Sequence, residues 1–109
     1  MLNKIETVAD FTALTEQGQP FYLLKHSLTC PISQSAYEEF EKFSALPDAQ
    51  CYYLAVQEAR LLSGHIADEF QIKHESPQAI MFVGSNPVWH ASHWKITESA
   101  LLAAFEENK

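Results

Sequence analysis

The sequence predicts an α/β domain, a central mixed β-sheet of about four strands flanked by helices. Segments with helical apolar spacing alternate with short strand-like runs along the 109 residues. The run at residues 51–56 is apolar almost without a break, the pattern of a strand covered on both faces. A turn cluster, Gly84-Ser85-Asn86-Pro87, follows the last strong run, so the chain should fold back there as a hairpin. No repeat, low-complexity stretch or linker interrupts this order, and residues 1–109 read as one domain.

The elements follow in turn. Residues 8–17 place Val8, Phe11 and Leu14 on one helical face, and Gly18 stops the helix. Pro20 precedes the first confident strand, residues 21–25. The second helix spans about residues 31–45. Proline suits a first helical position, where its missing N–H leaves nothing unpaired, and Ile32, Ala36, Phe40 and Phe43 form a buried stripe. Pro47 and Asp48 end it. The 51–56 strand comes next, then a helix at about 58–70 with Ala59, Leu62, Ile66 and Phe70 on one side. Ser76-Pro77 introduces the strand at 78–83, and 88–92 should return antiparallel. A last helix begins at Thr97 or Ser99 and carries Leu101, Leu102 and Phe105. A strand near residues 4–6 is a weaker expectation. A right-handed crossover followed by a hairpin gives a small mixed sheet.

Composition narrows the function. An apolar fraction of 47% is ample for one core without disulfide staples. Seven basic against fourteen acidic residues give a net charge of −7, which repels nucleic-acid backbones and anionic lipid. Three glycines form no phosphate-binding loop. The opening residues resemble neither a signal peptide nor an anchor, and no run approaches the roughly 20 apolar residues that cross a bilayer. Two cysteines in such a chain suit a reducing cytoplasm.

The chemistry gathers at Thr29-Cys30-Pro31-Ile32-Ser33, between a strand and a helix. Such a turn exposes a thiol and aims helix N–H groups at it, which favours the reactive thiolate. Three residues on, where a dithiol oxidoreductase carries its second cysteine, stands Ser33. A serine one turn below can donate a hydrogen bond to a thiolate but cannot resolve a disulfide. Cys51 opens a parallel strand at the opposite edge of the sheet. A six-residue strand spans about 20 Å, against the roughly 6 Å between α-carbons in a disulfide, so Cys51 reads as structural.

The element order, the Cys-Pro turn and Ser76-Pro77 before a strand resemble the thioredoxin superfamily over roughly residues 8–107. The string Lys25-His26-Ser27-Leu28-Thr29-Cys30-Pro31-Ile32-Ser33 is similar to the monothiol bacilliredoxins of low-GC Gram-positive bacteria, which carry Thr-Cys-Pro-Ile-Ser. The resemblance implies removal of bacillithiol from S-bacillithiolated proteins. Cys30 maps onto the nucleophile, Ser33 onto the family serine and Pro77 onto the superfamily's cis-proline. Bacillithiol would serve as co-substrate, with no tightly bound cofactor. A cis Pro77 would let Ser76 offer backbone groups to a substrate strand beside Cys30, with Thr29 and Pro31 also lining the groove. Bacillithiol carries carboxylates, so Lys25 and His26 are the nearest candidates for local positive charge. Neighbours on a strand point to opposite faces, so one of the two should line the groove; a solvated Lys25 is the plainer alternative.

No metal is expected. His90 and His93 fall on opposite faces of a strand, and no C-x-x-C or H-x-x-x-H occurs. Trp89 and Trp94 suit core or surface cover. Two other functions remain: an iron–sulfur carrier similar to monothiol glutaredoxins, whose Cys-Gly-Phe-Ser is absent, and a non-catalytic interaction module on the same scaffold.

Overall fold

Phe21-Tyr22-Leu23-Leu24 lies in the middle strand of the sheet, and its alternation organises both sides of the molecule. The computed structural model describes residues 2–108. Its elements are β1 (Leu2–Lys4), α1 (Val8–Glu16), β2 (Pro20–His26), α2 (Pro31–Phe43), β3 (Cys51–Ala55), α3 (Arg60–Phe70), β4 (Gln78–Val83), β5 (Asn86–Ser92), a 3-10 turn at His93–Lys95, and α4 (Glu98–Asn108). The strand order is β1-β3-β2-β4-β5. β1 and β2 run parallel to β3, whereas β4 runs antiparallel to both β2 and β5. The sheet thus has five strands where about four were expected.

Successive β2 side chains face opposite sides. Phe21 and Leu23 join Phe11, Leu54, Leu62, Ile66, Ile80 and Phe82 under α1 and α3. Tyr22 and Leu24 join Ala36, Phe40, Phe43, Met81 and Leu101 under α2 and α4. Both faces of β2 are covered, which explains its unbroken apolar run. Phe82 is fully buried, its ring stacked on Phe21 at 5.1 Å and edge-on to Phe11 at 5.2 Å and Phe70 at 5.1 Å.

Thr7 caps α1: its hydroxyl accepts from the Asp10 N–H at 3.1 Å, and the Asp10 carboxylate accepts from the Thr7 N–H at 3.2 Å. Helix α3 starts at Arg60, later than the expected 58, because Glu58 and Ala59 both donate to the Ala55 carbonyl in a tight turn. Strand β5 starts at Asn86, because Gly84 takes φ +61° and reverses the chain within two residues. Among the described residues, no helix is long and apolar enough to cross a membrane.

Candidate active site

Register places the chemistry. β2 ends beside the end of β3 (His26 opposite Ala55) and beside the start of β4 (Lys25 opposite Gln78). The Cys30 turn, the β3–α3 turn and Pro77 therefore meet at one end of the sheet. β5 brings the 3-10 turn to the same end, where the His93 N–H donates to the Pro77 carbonyl at 3.0 Å. The Ser76–Pro77 peptide is cis and Pro77 is buried. Ser76 is half-buried, and its Oγ has no hydrogen-bond partner among the described residues.

Cys30 is the N-cap of α2, with extended backbone and Pro31 at the first helical position. No side chain caps this helix, and its first turn holds no acidic residue. An N-cap side chain is the usual acceptor for the N–H groups of the second and third helical residues, here Ile32 and Ser33. Cys30 is half-buried, while Thr29 and Pro31 on either side of it are exposed.

Ser33 faces inward and is fully buried. Its Oγ accepts from the Ser27 N–H at 2.7 Å and lies 3.0 Å from His26 Nδ1. It ties the end of β2 to the first turn of α2. Which of the two side chains donates depends on the imidazole tautomer. His26 points to the α2 side and packs on Tyr37 at 4.9 Å. Burial holds its pKa below the ordinary histidine value, partly offset by a hydrogen bond with the Ser33 backbone. Ser33→Ala strips a partner from His26 and from the Ser27 N–H. It should lower unfolding free energy by about 1–3 kcal/mol in urea titration and slow thiol transfer without abolishing it. Unchanged stability would contradict this role for the serine.

Lys25, next along β2, points the other way. It is fully buried, so neither a solvated position nor direct lining of an open groove describes it. Its Nζ donates to the Ser63 carbonyl at 3.1 Å and to His74 Nδ1 at 3.2 Å. Burial alone lowers its pKa to about 8. The folded protein therefore takes up fewer protons than the unfolded chain between about pH 8 and the ordinary lysine value of 10.5. Below pH 8 the full penalty of a buried cation applies. Lys25→Met should stabilise the protein by about 1–3 kcal/mol at pH 7, and the gap should close as pH rises through that window. Thermal melts at pH 7 and pH 10 check this; a destabilised methionine variant would contradict it.

No sequence pattern marks Gln57. From the β3–α3 turn its Oε1 accepts from the Leu28 N–H at 3.1 Å, and its Nε2 donates to Ser27 Oγ at 2.9 Å and reaches Thr29 Oγ1 at 3.5 Å. One amide thus holds the three residues that lead into Cys30. His74 was equally unmarked.

Cys51 is buried at the start of β3, paired in register with Tyr22, whereas the Cys30 turn follows the far end of β2. Burial pushes its thiol up to about 12. A chromogenic disulfide should therefore titrate one fast thiol in the native protein and two after unfolding. Two fast native thiols would contradict the burial of Cys51. Among the described residues no group of three or more His, Cys, Asp or Glu side chains could hold a metal. Trp89 packs on Tyr22, and Trp94 is largely exposed.

Comparison with known proteins bears on this geometry. The sequence model of the family described as Monothiol bacilliredoxin BrxC matches residues 3–101. The chain belongs to the monothiol bacilliredoxin family. A solved structure described, provisionally, as an oxidoreductase with a thioredoxin fold is 42% identical, with a TM-score of 0.90 over 95% of this chain and 93% of its own. The chain is accordingly a thiol oxidoreductase with a thioredoxin fold. Thioredoxin from Malassezia sympodialis is 20% identical (TM-score 0.79, 98% of this chain and 90% of its own), and Fasciola hepatica thioredoxin is 14% identical (TM-score 0.78, 98% and 99%). Those two share the fold of this chain.

Proposed function

We propose that the protein removes bacillithiol from S-bacillithiolated proteins by single-thiol exchange at Cys30. The observation that supports this most is a half-buried thiol at an uncapped helix start, with a buried serine three residues on and the second thiol deep in the core. Family membership points the same way.

The Cys30 thiolate attacks the bacillithiol sulfur of the mixed disulfide. The client thiolate leaves and takes a proton from water, and a Cys30–bacillithiol disulfide remains. A second bacillithiol, as thiolate, attacks the bacillithiol sulfur of that adduct. Bacillithiol disulfide departs and the Cys30 thiolate is restored. Bacillithiol is a co-substrate, and the scheme needs no tightly bound cofactor.

The N–H groups of Ile32 and Ser33 are the donors available to the thiolate as it forms and leaves. Ser33 holds that turn on β2 through Ser27 and His26, and Gln57 holds the approach through residues 27–29. Ser76 would pair its backbone with an extended client segment beside Cys30, while Thr29, Pro31 and Pro77 shape the groove. Bacillithiol alone as reductant should regenerate client thiol from a bacillithiolated protein in the presence of catalytic amounts of this protein. No acceleration over bacillithiol alone would contradict the proposal and leave the cluster-carrier and interaction readings.

A further inference from the structure

A buried cation with no acidic partner among the described residues lies behind a pocket on the α3 side of the sheet. Among the described residues the hydrogen-bond partners of Lys25 are a carbonyl oxygen and an imidazole nitrogen, Ser63 O and His74 Nδ1, and none is a carboxylate. Ser63 Oγ lies 3.2 Å from the same His74 nitrogen. A protonated lysine can only donate, so His74 Nδ1 accepts and the neutral ring carries its proton on Nε2. Burial and the Lys25 charge both hold His74 below the ordinary histidine pKa; Glu75 opposes them.

Above this pair lies a pocket of about 260 Å³ lined by Val56, Arg60, Ser63, Gly64 and His74. At about 30 Å³ per water it has room for a small dicarboxylate. Arg60 is exposed and has no ion-pair partner among the described residues. It opens α3, and the N-cap of that helix, Ala59, supplies no side-chain bond. Arg60 lines the cavity at the open start of α3, and the Lys25 ammonium lies behind its Ser63 and His74 wall, in a chain whose net charge is −7.

One residue that lines the pocket, Val56, is bonded to the strand that leads into the reactive turn. The Val56 N–H donates to the His26 carbonyl at 2.9 Å, and Gln57 beside it holds residues 27–29. We propose that this pocket is a carboxylate site and that it seats a carboxylate of the small thiol while its sulfur exchanges at Cys30. The site stands on its own geometry; the identity of its ligand rests on the function proposed above. Arg60 would take the carboxylate as a paired donor, with Lys25 a fixed charge behind it.

Two measurements on the reduced, full-length protein test this. In the first, amide NMR spectra are titrated with malate against chloride at matched ionic strength. Saturable shifts at Ser63, Gly64 and His74, with a dissociation constant raised at least tenfold in Arg60→Met, are expected. No shifts there, or equal affinity in the variant, would overturn the site. In the second, clearance of the Cys30 adduct is timed with bacillithiol and with 2-mercaptoethanol, which has no carboxylate. The ratio of the two rate constants should fall about tenfold in Arg60→Met. An unchanged ratio would overturn the assignment of the site to the co-substrate. If wild type never forms the adduct, the proposed function fails and the ligand assignment with it, while the malate titration still decides the site.

Discussion

Cys30→Ala should reduce the release of client thiol from a bacillithiolated protein to the rate seen without protein, a loss on the order of 10³-fold or more, as removal of a nucleophile brings. The reason is positional. Cys30 is the half-buried thiol at the open start of α2, and Cys51 is buried at the far end of the sheet. Cys51→Ala should keep the activity, since the thiol it removes has no route to substrate. If Cys30→Ala kept a tenth of the wild-type rate, the exchange would have to run through another group, and the account would fail.

Phe82→Ala should lower unfolding free energy by about 3–5 kcal/mol. Phe82 is fully buried and touches three other aromatic rings, from α1, β2 and α3. Truncation leaves a cavity that backbone elements on three sides cannot all close. For a domain of this size the fall in Tm is roughly 12–25 °C. Urea titration with an unchanged m-value would give the number directly. A loss below about 1.5 kcal/mol would show that the aromatic cluster repacks, contrary to the close fit of its rings.

The fold was legible where physics acts locally. β2, β3 and β4 are apolar enough to be covered on both faces, and Pro31, Gly84 and Pro77 mark their neighbouring turns. The observed β4 bounds match the expected 78–83, and α2 ends at Phe43, two residues short of expectation. β1 was harder: it has three residues, of which only Leu2 is apolar, and it is a strand because β3 offers an edge to pair with. Expected near residues 4–6, it lies at Leu2–Lys4.

At the site, Cys30 and Ser33 were visible because a thiol on a strand-to-helix turn is a local pattern. Lys25, expected as a charge at the groove or in solvent, is instead fully buried, because a residue's neighbours in sequence do not reveal that α3 covers its face of the strand. Gln57 and His74 are polar residues in turns; their importance arises only when β3 and α3 bring them to the C-terminal end of β2. The inward aim of Ser33, toward Ser27 and His26, is likewise a tertiary fact.

The most direct test of the central claim is intact-mass spectrometry of wild type and Cys30→Ala after mixing with a bacillithiolated client. Single-thiol exchange at Cys30 predicts a gain of one bacillithiol on wild type, none on the variant, and a matching loss from the client. A client left unchanged by wild type, or an adduct that persists in Cys30→Ala, would contradict it.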